Sequence, residues 1–189
     1  MPFAPWPHVQ TMERLGDLFS ITGQFFRSVL SDYVDQVLSP PVNQNAGRYH
    51  RPGQAILYTS ATPEWSIIAV SGYMRQDNRP RVVVPLFVEN ALVVDQRDEE
   101  TCLRLGIDRE LSNKSWLKAL ENGREPASWR NSDAARASGA DGLIDRSRMI
   151  PDGWHLNLFR WNEMGGPKVT VCGDPIDIQL SPDGPQWGL

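Results

Sequence analysis

Arg48 and His50 stand just ahead of a short apolar run, residues 55–59, that carries Tyr58; Asp145, Arg146, Ser147 and Arg148 follow directly on a second run, Gly142-Leu143-Ile144. A guanidinium grips phosphate oxygens through two parallel N–H bonds, while a phenol and a serine hydroxyl give or take single ones. If the two runs fold close together, their polar ends share a pocket suited to a ligand that carries phosphate. Solvated surface arginines around a core tyrosine fit the same residues. Other chemistry-bearing types are sparse. His8, His50 and His155 are scattered and propose no metal site. Cys102 and Cys172 have no metal-ligand spacing and are expected to be core thiols. No HExxH, no GxSxG and no phosphate-cradling glycine loop occurs.

The elements that must position these residues read as a mixture without regular alternation. Apolar residues from Leu15 to Leu38 suggest helices over 11–38, broken near Gly23, and the Pro40-Pro41 pair then opens a polar loop to residue 47. Residues 55–59 read as a buried strand. Thr62-Pro63-Glu64 starts a helix to about Met74, with a capping hydroxyl, proline at the first position and an acid against the dipole. Its stripe Trp65, Ala69, Tyr73 is expected to point inward. Residues 81–88 and 91–95 read as strands joined by a Glu89-Asn90 turn, with Pro85 favouring an edge or a bulge. Helices follow at about 97–105, at 114–121 with Ser112 or Asn113 as cap and Gly123 as stop, and at 132–138. GLIDR, HLNLFRW, KVTVC and DIQL then read as strands before an irregular tail.

The late run of strands indicates an α+β fold in a single domain. Its expected parts are a helical segment over 1–46 packed on the domain, the catalytic domain proper over 47–180 and a tail over 181–189. Composition bounds the rest. With 189 residues, 40% apolar and 22% charged, the chain can bury a core unaided, and no apolar run is long enough to span a bilayer. A net charge of −4 opposes binding to nucleic acid by phosphate neutralisation. The first ten residues lack the pattern of a secretion signal, so the expected location is cytoplasmic.

Two ordered blocks carry more than types and spacing: GRYHRPGQAILYTSATPEWSIIAV over 47–70 and GADGLIDRSRMIPDGWHLNLFRWN over 139–162. Together they resemble the RES-domain toxins of bacterial toxin–antitoxin pairs, named for an arginine, a glutamate and a serine. The resemblance implies a fold similar to ADP-ribosyltransferases and consumption of NAD, by phosphorolysis or hydrolysis of the nicotinamide glycosidic bond or by transfer of ADP-ribose to a host protein. It implies that Arg48 holds the NAD phosphates or the nicotinamide ribose, that Tyr58 orients the nicotinamide and that Ser147 bonds in the same pocket. Tyr49, His50 and Asn157 would complete the lining, without a metal. The implied partner is an Xre-type helix-turn-helix antitoxin that blocks the pocket and leaves DNA contact to itself.

One position departs from the pattern. Where the resemblance places a glutamate, this chain has Ala69. A carboxylate there could stabilise positive charge as the glycosidic bond breaks, or activate the attacking group; a methyl does neither. The chain is therefore expected to be inactive or crippled relative to a glutamate-bearing parent. A Glu→Ala replacement in an otherwise intact motif, natural divergence, and a shifted match that uses Glu64 or Glu89 are the three accounts, the first being favoured. A non-catalytic module that binds NAD or protein is the reading of another class.

Overall fold

The computed structural model describes residues 10–42, 44–181 and 184–187; His8 and the first nine residues lie outside them. Alternation, and not helical period, governs the start of the chain. Strand β1 (Thr11–Leu15) turns into the long β2 (Leu18–Leu30), in which Phe19, Ile21 and Phe25 are buried on one face. The expected N-terminal helices are thus a correction. Aromatic and β-branched residues such as Phe25, Ile21 and Val29 suit a pleated face, and their approximate three-to-four spacing mimicked a helix. Only a 3-10 turn over Ser31–Gln36 remains of the helical expectation.

Strand β3 (Leu57–Ser60) leads into helix α1 (Pro63–Asp77). As read from sequence, the Thr62 side chain accepts from Trp65 N at 3.2 Å, and Pro63 is at the first helical position. The next element is a single strand, β4 (Arg81–Asp95), where a hairpin was expected. Asn90, with φ 54°, does not reverse the chain. Glu89 and Asn90 form a bulge opposite Thr22, whose hydroxyl accepts from Asn90 N at 2.8 Å. Pro85 lies in this central strand, at the junction where one neighbouring strand gives way to another, so its missing N–H interrupts no ladder.

Three short helices follow, α2 (Glu99–Leu105), α3 (Arg109–Asn113) and α4 (Trp116–Glu121), then α5 (Trp129–Ala137). Helix α3 was not foreseen, and Ser115, not Ser112 or Asn113, caps α4. Strands β5 (Gly142–Arg146), β6 (Trp154–Leu158), β7 (Lys168–Val171), β8 (Ile176–Ser181) and β9 (Gly184–Trp187) complete the sheet, so part of the supposedly irregular tail is a strand. Residues 182–183 and 188–189 of that tail lie outside the described residues.

The fold is α+β, and its pairings run β2–β3–β6–β5–β4 and return to β2. This curved ring encloses the main core of Phe25, Leu57, Val84, Leu86, Val93, Ile144, Leu156 and Leu158. Helix α1 packs outside it through Ile67 and Met74 against Phe26 and Val83. A third cluster, with Tyr49, Ile56, Leu143 and Phe159, lies under α2 and α5. Cys102 is buried, but Cys172 is exposed, against expectation. No helix among the described residues is long and apolar enough to cross a membrane.

Because Thr62 supplies the cap that fixes where α1 begins, Thr62→Ala should lower stability by about 1 kcal/mol in chemical denaturation. An unchanged midpoint would mean that Pro63 and tertiary packing alone set the helix start.

Candidate functional site

Strand register brings the polar residues together. Strands β3 and β5 are not neighbours; β6 lies between them, with Tyr58 opposite Asn157, Ser60 opposite His155 and Asp145 opposite His155. Residues two apart share a face, so Tyr58, Ser60, His155, Asn157 and Asp145 line the same side, away from the main core. Sheet geometry puts such cross-strand pairs within side-chain reach.

The loop before β3 closes over this face. Tyr49, 1% exposed, donates its hydroxyl to Asp145 Oδ2 at 2.9 Å, and Asn157 Nδ2 donates to Asp145 Oδ1 at 2.8 Å. Burial, and then the charge of Asp145, push the Tyr49 phenol well above the usual tyrosine range. The Tyr58 oxygen accepts from Tyr49 N at 3.1 Å and pairs with His50 Nδ1 at 3.0 Å. Burial likewise raises the Tyr58 phenol. Since its oxygen already receives the Tyr49 N–H, the phenol is free to donate its own hydrogen to a neutral His50. That histidine is 3% exposed, and burial, followed by the charge of Arg136, lowers its pKa to about 4, with a backbone hydrogen bond at Asn45 opposing the shift.

Gly47 is what allows the loop to come so near. A Cβ at this position would stand 2.5 Å from His50 Cε1 and 2.8 Å from the Tyr58 hydroxyl. Helix α5 holds the same backbone, with Trp129 Nε1 donating to Gly47 O at 2.8 Å and Ser128 Oγ donating to Arg48 O.

Cations crowd the open side. Arg48 Nη1 donates to Ser112 O at 2.7 Å and Arg148 Nη1 to Asn113 O at 3.1 Å, so two guanidiniums are seated on consecutive carbonyls at the end of α3. Burial, and then the neighbouring charge of Arg48, lower the Arg148 pKa. Arg27, on β2, has a buried Nη1 with no hydrogen-bond partner among the described residues; burial lowers its pKa to about 10, and Tyr58 opposes that shift. Arg148 was expected here among the residues that follow the Gly142-Leu143-Ile144 run; Arg27 and Asn131 of α5 were not. For the two arginines the marking feature is a guanidinium that forms no ion pair with a carboxylate among the described residues, which a sequence does not display. His155, set aside as scattered, pairs with Ser60 Oγ at 2.9 Å, and burial lowers its pKa.

The predicted residues therefore divide. Arg48, Tyr49, His50, Tyr58 and Asn157 converge through Asp145. Ser147 lies two residues past Asp145, half-buried, with its Oγ accepting from Met149 N at 3.3 Å inside the β5–β6 loop. Ala69 is exposed on α1 and does not point inward, which is a correction: the buried face of the helix is Ser66, Ile67, Ser71 and Met74. One turn on from Ala69, Tyr73 is 43% exposed and is close enough to Arg148 to bear on its charge. Neither alternative glutamate joins this network. Glu89 pairs with Lys168 at 3.3 Å, and Glu64 is exposed in the first turn of α1.

Three comparisons with known proteins bear on this arrangement. A family model described as RES domain matches residues 24–181. A chain in the crystal structure of the M.tuberculosis MbcT-MbcA toxin-antitoxin complex is similar in fold, with a TM-score of 0.56 at 10% identity over 89% of this chain and 86% of that one. No curated protein matches the chain.

Acid should loosen the site through His50. In the unfolded chain this group takes a proton near its ordinary value of about 6.5, but in the fold only near 4. Between those values the unfolded state binds more protons, so stability falls as pH falls. The contribution, on the order of 3 kcal/mol, is complete above the unfolded value and gone near the folded one. Urea denaturation followed across this window should show the slope, and His50→Gln should reduce it; an equal slope in the variant would contradict the assignment.

Proposed function

The chain belongs to the RES domain family, and we propose that it is the toxin of a toxin–antitoxin pair whose cleft binds NAD and cleaves the bond between nicotinamide and ribose. The observation that carries this reading is the paired guanidiniums of Arg48 and Arg148 beside the Tyr49–Asp145–Asn157 network. Arginine forks suit a diphosphate, which each can grip through two parallel N–H bonds. The Tyr58 ring, fixed by its bonds to Tyr49 and His50, offers a rigid surface for the nicotinamide.

In the proposed reaction the carbon–nitrogen bond breaks with its electron pair leaving on nicotinamide, and positive charge develops on the ribose. A water or phosphate oxygen then bonds to the anomeric carbon. The residues present can hold both ends of the substrate, but position 69 supplies no carboxylate toward the developing charge. Binding therefore falls to Arg48, Arg148 and Tyr58, and the methyl of Ala69 leaves the chemical step slow.

A second reading, binding without turnover, draws on the same Ala69. The partner is proposed to be an antitoxin of the helix-turn-helix Xre type that covers the cleft. Support for a covering partner comes from the rim, where Tyr73 and Met149, 43% and 63% exposed, flank Arg148.

Incubation with NAD, with and without phosphate, separates the readings. Ala69→Glu should raise NAD loss by roughly 10²–10³-fold over the present chain. If neither form consumes NAD in either condition, the cleavage reading fails; if both bind NAD, binding without turnover takes its place.

A further inference from the structure

Helix α3 has five residues and is too short to be stable by itself. Its place is fixed by a small polar network that is almost wholly buried. Asn131, 1% exposed on α5, has its Nδ2 at 2.7 Å from Asp108 O, at the start of α3, and at 2.9 Å from Ser112 Oγ, near its end. Gln96, 3% exposed beyond β4, presents its Oε1 to both Ser112 Oγ at 2.8 Å and Asn131 Nδ2 at 3.1 Å. One amide thus grips both ends of α3, and a second braces it.

What α3 does with that fixed position is specific. Its last carbonyls, Ser112 O and Asn113 O, accept from Arg48 and Arg148. Two like charges repel and would spread apart in solvent. The carbonyls at a helix C-terminus carry partial negative charge and hold such cations favourably. Each guanidinium spends one Nη on α3, and among the described residues neither forms an ion pair with a carboxylate. The remaining N–H groups of both are left for a ligand.

We propose that Asn131 is a positioning residue which, acting through α3, sets the separation and aim of Arg48 and Arg148 as a two-guanidinium seat for a diphosphate. This deepens the NAD reading of the same cleft and rests on it for the substrate, though not for the anion chemistry. Asn131 touches no ligand. Replacing its amide by a carboxylate of the same shape turns its donor into an acceptor facing Gln96 Oε1 and Asp108 O, which should release α3.

Calorimetric titration with inorganic pyrophosphate, and in parallel with NAD, tests the proposal on the full chain. Asn131→Asp should weaken pyrophosphate by about tenfold, and the same change in an Arg48→Ala, Arg148→Ala background should have almost no further effect, because the groups it positions are gone. A general loss of structure would lower affinity in both backgrounds. Ser112→Ala, which removes the hydroxyl held by the network and keeps the carbonyl, provides the milder variant should Asn131→Asp not fold, with the same coupling expected. Unchanged affinity in both variants, or an effect that persists without the arginines, overturns the proposal. Pyrophosphate binding with this coupling but no binding of NAD supports the arginine seat and removes the NAD reading.

Discussion

A single buried carboxylate ties the two halves of the site together. Asp145, 7% exposed, accepts from Tyr49 on one side and Asn157 on the other, across 96 and 12 residues of chain. A buried charge is costly unless its oxygens are bonded, so the fold has few ways to satisfy this group. Satisfying it draws the 47–50 loop onto β5, which sets Tyr49 N against Tyr58 and Tyr58 against His50. The cations then sit on the rim of a frame whose floor is already fixed.

The frame extends outward in two directions. Through Gly47, Trp129 and Ser128 it reaches α5, and through Arg48 and Arg148 it reaches α3, which Asn131 ties back to α5. Ser128, at the start of α5, thus holds the backbone of Arg48, and α5 reaches its guanidinium only by way of α3. Helix α1 contributes an exposed stripe at Ala69 and Tyr73, with Tyr73 near enough to Arg148 to bear on its charge. On the proposed reading, binding and chemistry fall to different walls, so that loss of a charge on one would leave the other intact.

Much of this was legible in the sequence, and the failures have physical causes. The Thr62-Pro63 start of α1 is a local signal, set by a cap and a fixed φ, and it held. The alternating strands of the last third held for the same reason. The convergence of Arg48, Tyr58 and the residues after β5 was expected, although β6 lies between the strands concerned. Strand β2 was misread because Phe25-Phe26 and nearby apolar residues satisfy both periods over a short window, and tertiary pairing with β4 decided between them. Asn90 gave a turn signal that became a bulge, since a positive φ serves either purpose. Arg27, Arg148, His155 and Asn131 draw their meaning from neighbours on other strands and helices. Of these, Arg148 was marked by its place after the Gly142-Leu143-Ile144 run; no local pattern marked the others.

The most direct test of the account is a calorimetric titration of NAD into this chain and into its Arg48→Ala variant. The account predicts saturable binding by the chain as it stands, since Ala69 affects chemistry and not the phosphate seat, and a loss of about tenfold or more in the variant, as expected when a charge-assisted fork is removed. Equal affinity in the two proteins, or no binding by either, would contradict it.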